Sequence, residues 1–175
     1  IKDRAIPDIL DGFKPVQRRI LHTMLKIDDG RFNKVAGIVG EVMKYHPHGD
    51  SSIYEALVNI TNCGLFIEGQ GNYGNFLTGD GAAAARYIEA RLKPFAKKVL
   101  YSPEITEFVD SYDGRNQEPV VFQAKIPVVA VQGTSGIAVG MATKILPHNL
   151  LEVLEAQKKA LRGEDFTIYP DFPGG

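Results

Sequence analysis

The residues best suited to chemistry lie in one stretch, GDGAAAARYIEARL, running from Gly79 to Leu92. Tyr87 follows four alanines and Arg86, so its phenol is sterically open and has a permanent cation as its neighbour. A free phenol has a pKa of about 10 and is a weak nucleophile at neutral pH, so it needs a cation, base or metal to favour the phenolate. Arg86 can be that cation, and it can also neutralise a phosphate under attack. The same residues read equally well as plain helix with Tyr87 half-buried in it, because alanine is the strongest helix former. Local context leaves both readings open.

Two other stretches invite chemistry. HPHGD, from His46 to Asp50, offers two imidazoles and a carboxylate. Without a third convincing ligand, such a pair reads as a turn whose histidines bond backbone or phosphate, not a metal. Gly69, Gly71 and Gly74 satisfy G-x-G-x-x-G after an apolar run. That dinucleotide fingerprint must open directly into a helix, whereas Asn75, Thr78, Gly79, Asp80 and Gly81 continue the loop. A glycine-rich wing or hairpin, in which backbone can approach a partner closely, is the better reading. Tyr87 then falls just beyond the wing, on an extended segment and outside any helix.

The elements that must position these residues follow from periodicity. A helix is expected from near Lys14, with Pro15 at its first position. Val16, Ile20, Leu21, Met24 and Leu25 form its apolar stripe, leaving Lys14, Arg18, Arg19 and Lys26 mostly off it, which makes a basic amphipathic helix. A second helix is expected over Asn33–Met43, with Asn33 as cap and Val35, Ile38, Val39 and Val42 on one face. A third starts at Asp50 or Ser51, with Ser52 and Glu55 spaced as a capping box and Ile53, Leu57 and Ile60 facing inward. Two helices joined by a tight glycine turn outline a helix-turn-helix, which points the third helix's N-terminus at a phosphate or groove. Further on, a short helix covers Pro94 to Leu100, and Phe108 to Pro119 is a turn-rich crossing into another unit. Val120 to Gly133 has the β-branched density of strands interrupted by Pro127. Ile137, held between Gly136 and Ala138, reads as core from its neighbours alone. Asn149 caps a last amphipathic helix through Leu161, ending before Gly163.

Composition sets the bounds. The 175 residues carry a formal charge of −1, which does not itself point to nucleic acid. Up to residue 100, however, Lys and Arg outnumber Asp and Glu by 14 to 11, and afterwards they trail by 6 to 10. The single cysteine, Cys63, excludes an internal disulfide and a multi-cysteine metal site and fits a reducing cytoplasm. No run is apolar enough to span a membrane, and no signal peptide is visible. Ile1 as first residue and the loop-like PDFPGG end lead us to expect a piece of a longer protein.

Five ordered stretches carry a resemblance: DRAIPDILDGFKPVQRRI (Asp3 to Ile20), KYHPHGDSSIYEAL (Lys44 to Leu57), GQGNYGN (Gly69 to Asn75), the Tyr87 stretch and GTSGIAVGMATKILPHN (Gly133 to Asn149). Together they resemble the breakage-and-reunion A subunit of bacterial type IIA topoisomerases, that of DNA gyrase and topoisomerase IV, over nearly the whole chain. Gln17 and the YEA at Tyr54 to Ala56 favour topoisomerase IV. The resemblance implies an α+β fold: a winged-helix cleavage domain at 1–108, then the start of an α/β tower domain at 109–175. It implies an ATP-dependent isomerase in which Tyr87 cleaves DNA through a 5′-phosphotyrosine link, assisted by Arg86, Arg4, His46 and His48. Lys14, Arg18, Arg19 and Lys44 would contact DNA, and Ile137 would wedge between bases and bend it. Ser51 and Glu55 match positions where quinolone drugs engage through a water-bound magnesium ion. No metal ligand is assigned to this chain. Magnesium and ATP would come on a B subunit, in an A2B2 assembly built on an A homodimer acting on duplex DNA, in the bacterial cytoplasm at the nucleoid. Alone, the fragment would be inactive. Departures from the family pattern are Ile88 in place of threonine, Gly37 near an expected basic residue, a shortened loop before GQGNYGN, and no threonine in PDFPGG. From other classes, a non-enzymatic winged-helix binder and an inactive structural fragment remain as alternatives.

Overall fold

A computed structural model describes residues 2–172 of the chain. A short helix, α1 (Lys2–Ala5), leads through the turn at Asp11 and Gly12 into α2 (Pro15–Ile27). Pro15 brings the φ a helix requires and has no amide to leave unpaired. Gln17 closes that helix end, its Oε1 accepting the Lys14 amide at 2.8 Å. A two-residue strand, β1 (Asn33–Lys34), precedes α3 (Val35–Val42). After the HPHG turn comes α4 (Asp50–Cys63), which ends at Gly64 in the left-handed region, φ 70°. Strands β2 (Ile67–Gln70) and β3 (Glu89–Leu92) pair antiparallel, and β1 pairs with the other edge of β3, giving the order β1-β3-β2. Three helices followed by a strand pair with a long intervening loop are compatible with a winged helix.

The expected stripes make the core. Ile20, Leu21 and Met24 of α2, Val35, Ile38 and Val42 of α3, and Ile53, Leu57 and Ile60 of α4 are all buried. They meet Phe66, Ile67 and Ile88 from the sheet side. Each such side chain contributes roughly 1.5–3 kcal/mol over its exposed state. Phe13 is packed edge-on to Phe66 and Phe122, with centroids 5.7 and 6.2 Å away.

The rest of the chain adds α5 (Pro94–Leu100), a 3-10 turn (Pro103–Ile105), a hairpin of β4 (Phe108–Asp110) and β5 (Gln117–Pro119), and α6 (Val128–Gln132). A second hairpin, β6 (Thr134–Ala138) with β7 (Met141–Ile145), and α7 (Leu150–Leu161) follow. Asn149 caps α7 as expected, its side chain accepting the Leu151 and Glu152 amides. Antiparallel strands segregated from helices place the molecule in the α+β class.

Four expectations are corrected. Asn33 does not cap α3; it lies in β1, opposite Ala90, and Lys34 takes the cap position. The Ser52 and Glu55 capping box is absent: Gly49 is the N-cap, and Ser52 Oγ instead donates to Gly49 O at 2.8 Å. The crossing at 108–119 is a hairpin, closed by Ser111 N donating to Asn116 O at 2.7 Å. Val120 to Gly133 forms no strand. Its backbone donors have other partners, Phe122 N on Asp11 Oδ2 and Lys125 N on Val99 O, and Pro127 opens α6 instead. The last three residues of the PDFPGG end, 173–175, lie outside the described residues.

Candidate active site

Tyr87 is on a turn immediately before β3 and is 63% exposed. Three groups of contacts hold that turn. Tyr54 Oη donates to Ala83 O at 2.5 Å. Ala36 N and Val35 N, the first amides of α3, donate to Ala85 O and Ile88 O at 3.0 Å each. Amides in a first helical turn have no intrahelical partner, so the tyrosine loop satisfies them and is in turn fixed on both sides of Tyr87. Ile88, fully buried, anchors the turn from below. It packs where Gly71, at φ +108°, leaves room: a Cβ there would meet Ile88 Cγ2 at 2.9 Å. The departure at Ile88 therefore points into the core, away from the exposed phenol. The Arg86 guanidinium carbon lies 4.6 Å from the Tyr87 ring centroid, so the expected cation does stand at the phenol.

A second group collects at the other end of α3. His46 N donates to Val42 O at 3.0 Å, which hangs the histidine turn on the helix C-terminus. The eight residues of α3 put about 12 Å between the two ends. His46 is buried, and its ring meets that of exposed His48 edge-on at 4.6 Å. Burial first, then the charges of Arg19, His48 and Arg4, lower the His46 pKa to about 4, with Glu118 acting the other way. Arg4 is exposed on α1. Lys14 Nζ donates to Ser135 O at 2.8 Å, tying α2 to the β6–β7 hairpin. On that hairpin Ile137 is 86% exposed, so it is not the core residue its small neighbours suggest.

The remaining predicted residues separate into available and committed. Lys44 is exposed and pairs with Glu41, three residues before it, an exposed contact of little energy. Ser51 and Glu55 are exposed one turn apart on α4. Arg18 is a correction: it is buried, and Nε and Nη2 grip the fully buried Asp11 carboxylate at 2.6 and 2.9 Å. The same Nη2 also donates to Phe13 O at 2.9 Å, so most of its donors are committed to the fold. Arg19 is half-buried and shared between Glu118 and His46. From the sequence Asp11 marks only a turn, and Glu118, 99 positions from Arg19, gives no local signal. Among the described residues, no group of three His, Cys, Asp or Glu could hold a metal ion, and no helix is long and apolar enough to cross a membrane.

Residues 4–175 match the family of the DNA gyrase/topoisomerase IV A subunit. The chain belongs to this family. It is 65% identical over 175 residues to the A subunit of DNA topoisomerase 4 from Borreliella burgdorferi, covering 100% of this chain and 28% of the relative. It is 46% identical to the A subunit of DNA gyrase from Staphylococcus epidermidis, over 99% of this chain and 21% of the relative. It is also 46% identical to that of Streptococcus pyogenes, over 98% of this chain and 23% of the relative. Within the gyrase and topoisomerase IV family, these identities favour the topoisomerase IV side. The chain spans between a fifth and a third of the length of these relatives.

Proposed function

We propose that this chain is the DNA-cleaving part of a type IIA topoisomerase A subunit, with residues 1–108 as the winged-helix cleavage domain and 109–175 as the start of the tower. The observation that carries the reading is the exposed phenol of Tyr87, fixed on both sides against α3 with the Arg86 cation at its ring. Tyr87 Oη attacks a DNA phosphorus, the bond from phosphorus to the 3′ oxygen breaks, and the phenolic proton is balanced by protonation of that oxygen. One phosphodiester replaces another, so religation needs no added energy source. Arg86 offsets charge on the phosphoryl oxygens as the reaction proceeds. Arg4, Lys14, Lys44, His46 and His48 hold the strand, Ile137 enters the stack, and Ser51 and Glu55 form the drug-contact face of α4.

The Tyr87 group and the His46 group sit at opposite ends of α3, which supports a homodimer that brings them together and supplies one tyrosine for each strand of a duplex. Among the described residues, no group of three His, Cys, Asp or Glu could hold a magnesium ion. Magnesium and ATP belong in this reading to a B subunit, in the bacterial cytoplasm.

The test mixes the full A subunit with that partner, magnesium and duplex DNA and traps adducts with denaturant. Wild type is expected to give covalent protein–DNA complexes, and Tyr87→Phe none while still binding DNA. Adducts from Tyr87→Phe would remove Tyr87 from the mechanism. DNA binding without adducts from wild type would leave a winged-helix binder.

A further inference from the structure

The position of the ring proton on His46 follows from its partners. Arg19 is a permanent cation whose N–H groups can only donate. Its Nη1 lies 3.0 Å from His46 Nδ1, so Nδ1 presents a lone pair and the proton is on Nε2. The guanidinium is not free to turn away, because Nε and Nη2 fork onto the Glu118 carboxylate at 2.6 and 2.9 Å. Bidentate forks of this kind fix orientation as well as charge. Glu118 is itself carried by β5, which is fastened to α2 again where His22 Nε2 donates to Gln117 O at 3.0 Å.

We propose that Glu118 is a positioning residue for the cleavage site: through Arg19 it locks His46 as the Nε2–H tautomer, so that His46 serves the phosphodiester as a neutral hydrogen-bond donor and not as a general acid or base. The inference rests on the reading of Tyr87 as nucleophile and adds the role of its helpers. The charged and titratable groups bearing on His46 are Arg19 from α2, Arg4 from α1, His48 from its own turn and Glu118 from β5. The first three oppose a second proton, and Glu118 alone favours one. A base would need a free Nδ1, which Arg19 occupies, and an acid would need the imidazolium, which these cations and burial disfavour. What remains is a fixed donor for an oxygen on which negative charge develops, the arrangement that stabilises such charge most.

The test uses the full A subunit carrying nitrogen-15 in its histidine rings, free and assembled with its partner, magnesium and DNA. Wild-type His46 is expected to keep a single Nε2–H pattern from about pH 8 to about pH 5, through the range where an ordinary histidine titrates. A cation or an Nδ1–H ring at neutral pH overturns the proposal. Glu118→Gln removes the charge from the fork, and it is expected to mix both tautomers and to slow adduct formation on the order of tenfold at saturating DNA, where any change in affinity no longer counts. An unchanged tautomer with normal adduct formation overturns the positioning role. Arg19→Lys keeps the charge and loses the fork, so it carries the same expectation should Glu118→Gln fail to fold. If wild type shows the Nε2–H ring but forms no adduct, the Tyr87 reading fails and the catalytic role of His46 falls with it.

Discussion

Asp11 is wholly buried, and its carboxylate accepts from Arg18 Nε and Nη2, Phe13 N and Phe122 N. Replacing it strands the Arg18 cation in the interior, a loss of about 3–5 kcal/mol for one partner of a buried pair. Asp11→Ala is therefore expected to lower the urea midpoint by that equivalent, and a change under about 1 kcal/mol would mean that water reaches Arg18. His46 makes stability depend on pH. Its folded pKa of about 4 lies below the ordinary value near 6.5, so between those values the unfolded chain takes a proton the folded chain refuses. Stability that is complete above about pH 6.5 should fall as the pH drops toward 4, by ~1.4 kcal/mol per pH unit from this group. Unfolding free energies for wild type and His46→Gln across that range check it, since the two curves should converge as the pH falls. At this scale the sequence was legible where partners are neighbours, as at Arg86 and Tyr87. Arg18 and Arg19 are adjacent too, yet they point about 100° apart on a helix, toward acids at positions 11 and 118. A pattern of charges along one helix could not separate the structural arginine from the one that reaches His46.

Elements were legible in proportion to how local their cause is. Pro15, Pro94 and Asn149 mark helix starts by backbone chemistry contained in a few residues, and α2, α5 and α7 begin where those marks fall. Val120 to Ala124 has β-branched residues, but the Val120 amide is taken by Glu107 O and the Phe122 amide by Asp11 Oδ2, so propensity was overridden. The β6–β7 hairpin shows what an element can add to a single residue. Gly136 packs so closely on the Ala5 carbonyl that a Cβ would collide with it, and Lys14 Nζ holds Ser135 O. The hairpin is thus docked on α1 while Ile137 projects from it, exposed. A docked hairpin with a projecting apolar tip is the geometry of a wedge, and unstacking a base step costs on the order of a few kcal/mol. Ile137→Ala in the full A subunit is expected to reduce DNA bending, read by fluorescence transfer between duplex ends, while leaving stability within about 0.5 kcal/mol. Normal bending with a large drop in melting temperature would return Ile137 to the core.

At the scale of the whole molecule, a formal charge of −1 conceals how its cations are used. Six Lys and Arg positions were candidates for DNA: Arg4, Lys14, Arg18, Arg19, Lys44 and Arg86. If all met phosphates, counterion release would give a slope of log K against log salt of about −5.4 per chain. The structure removes two of them. Arg18 is sealed against Asp11, and Arg19 is neutralised by the Glu118 fork, so neither releases a counterion when DNA arrives. Arg4, Lys14, Lys44 and Arg86 remain, all at least partly exposed, and in the proposed reading Ile137 would add apolar contact that salt leaves nearly untouched. The expected slope is then about −3.6 per chain. Duplex binding measured over a salt series by fluorescence anisotropy separates the cases. Arg18→Met should leave the slope unchanged, whereas Lys44→Met should make it shallower by about 0.9. A wild-type slope of about −4.5 would mean that the Glu118 fork opens on DNA and frees Arg19, which would also release His46 from the tautomer in which the free chain holds it.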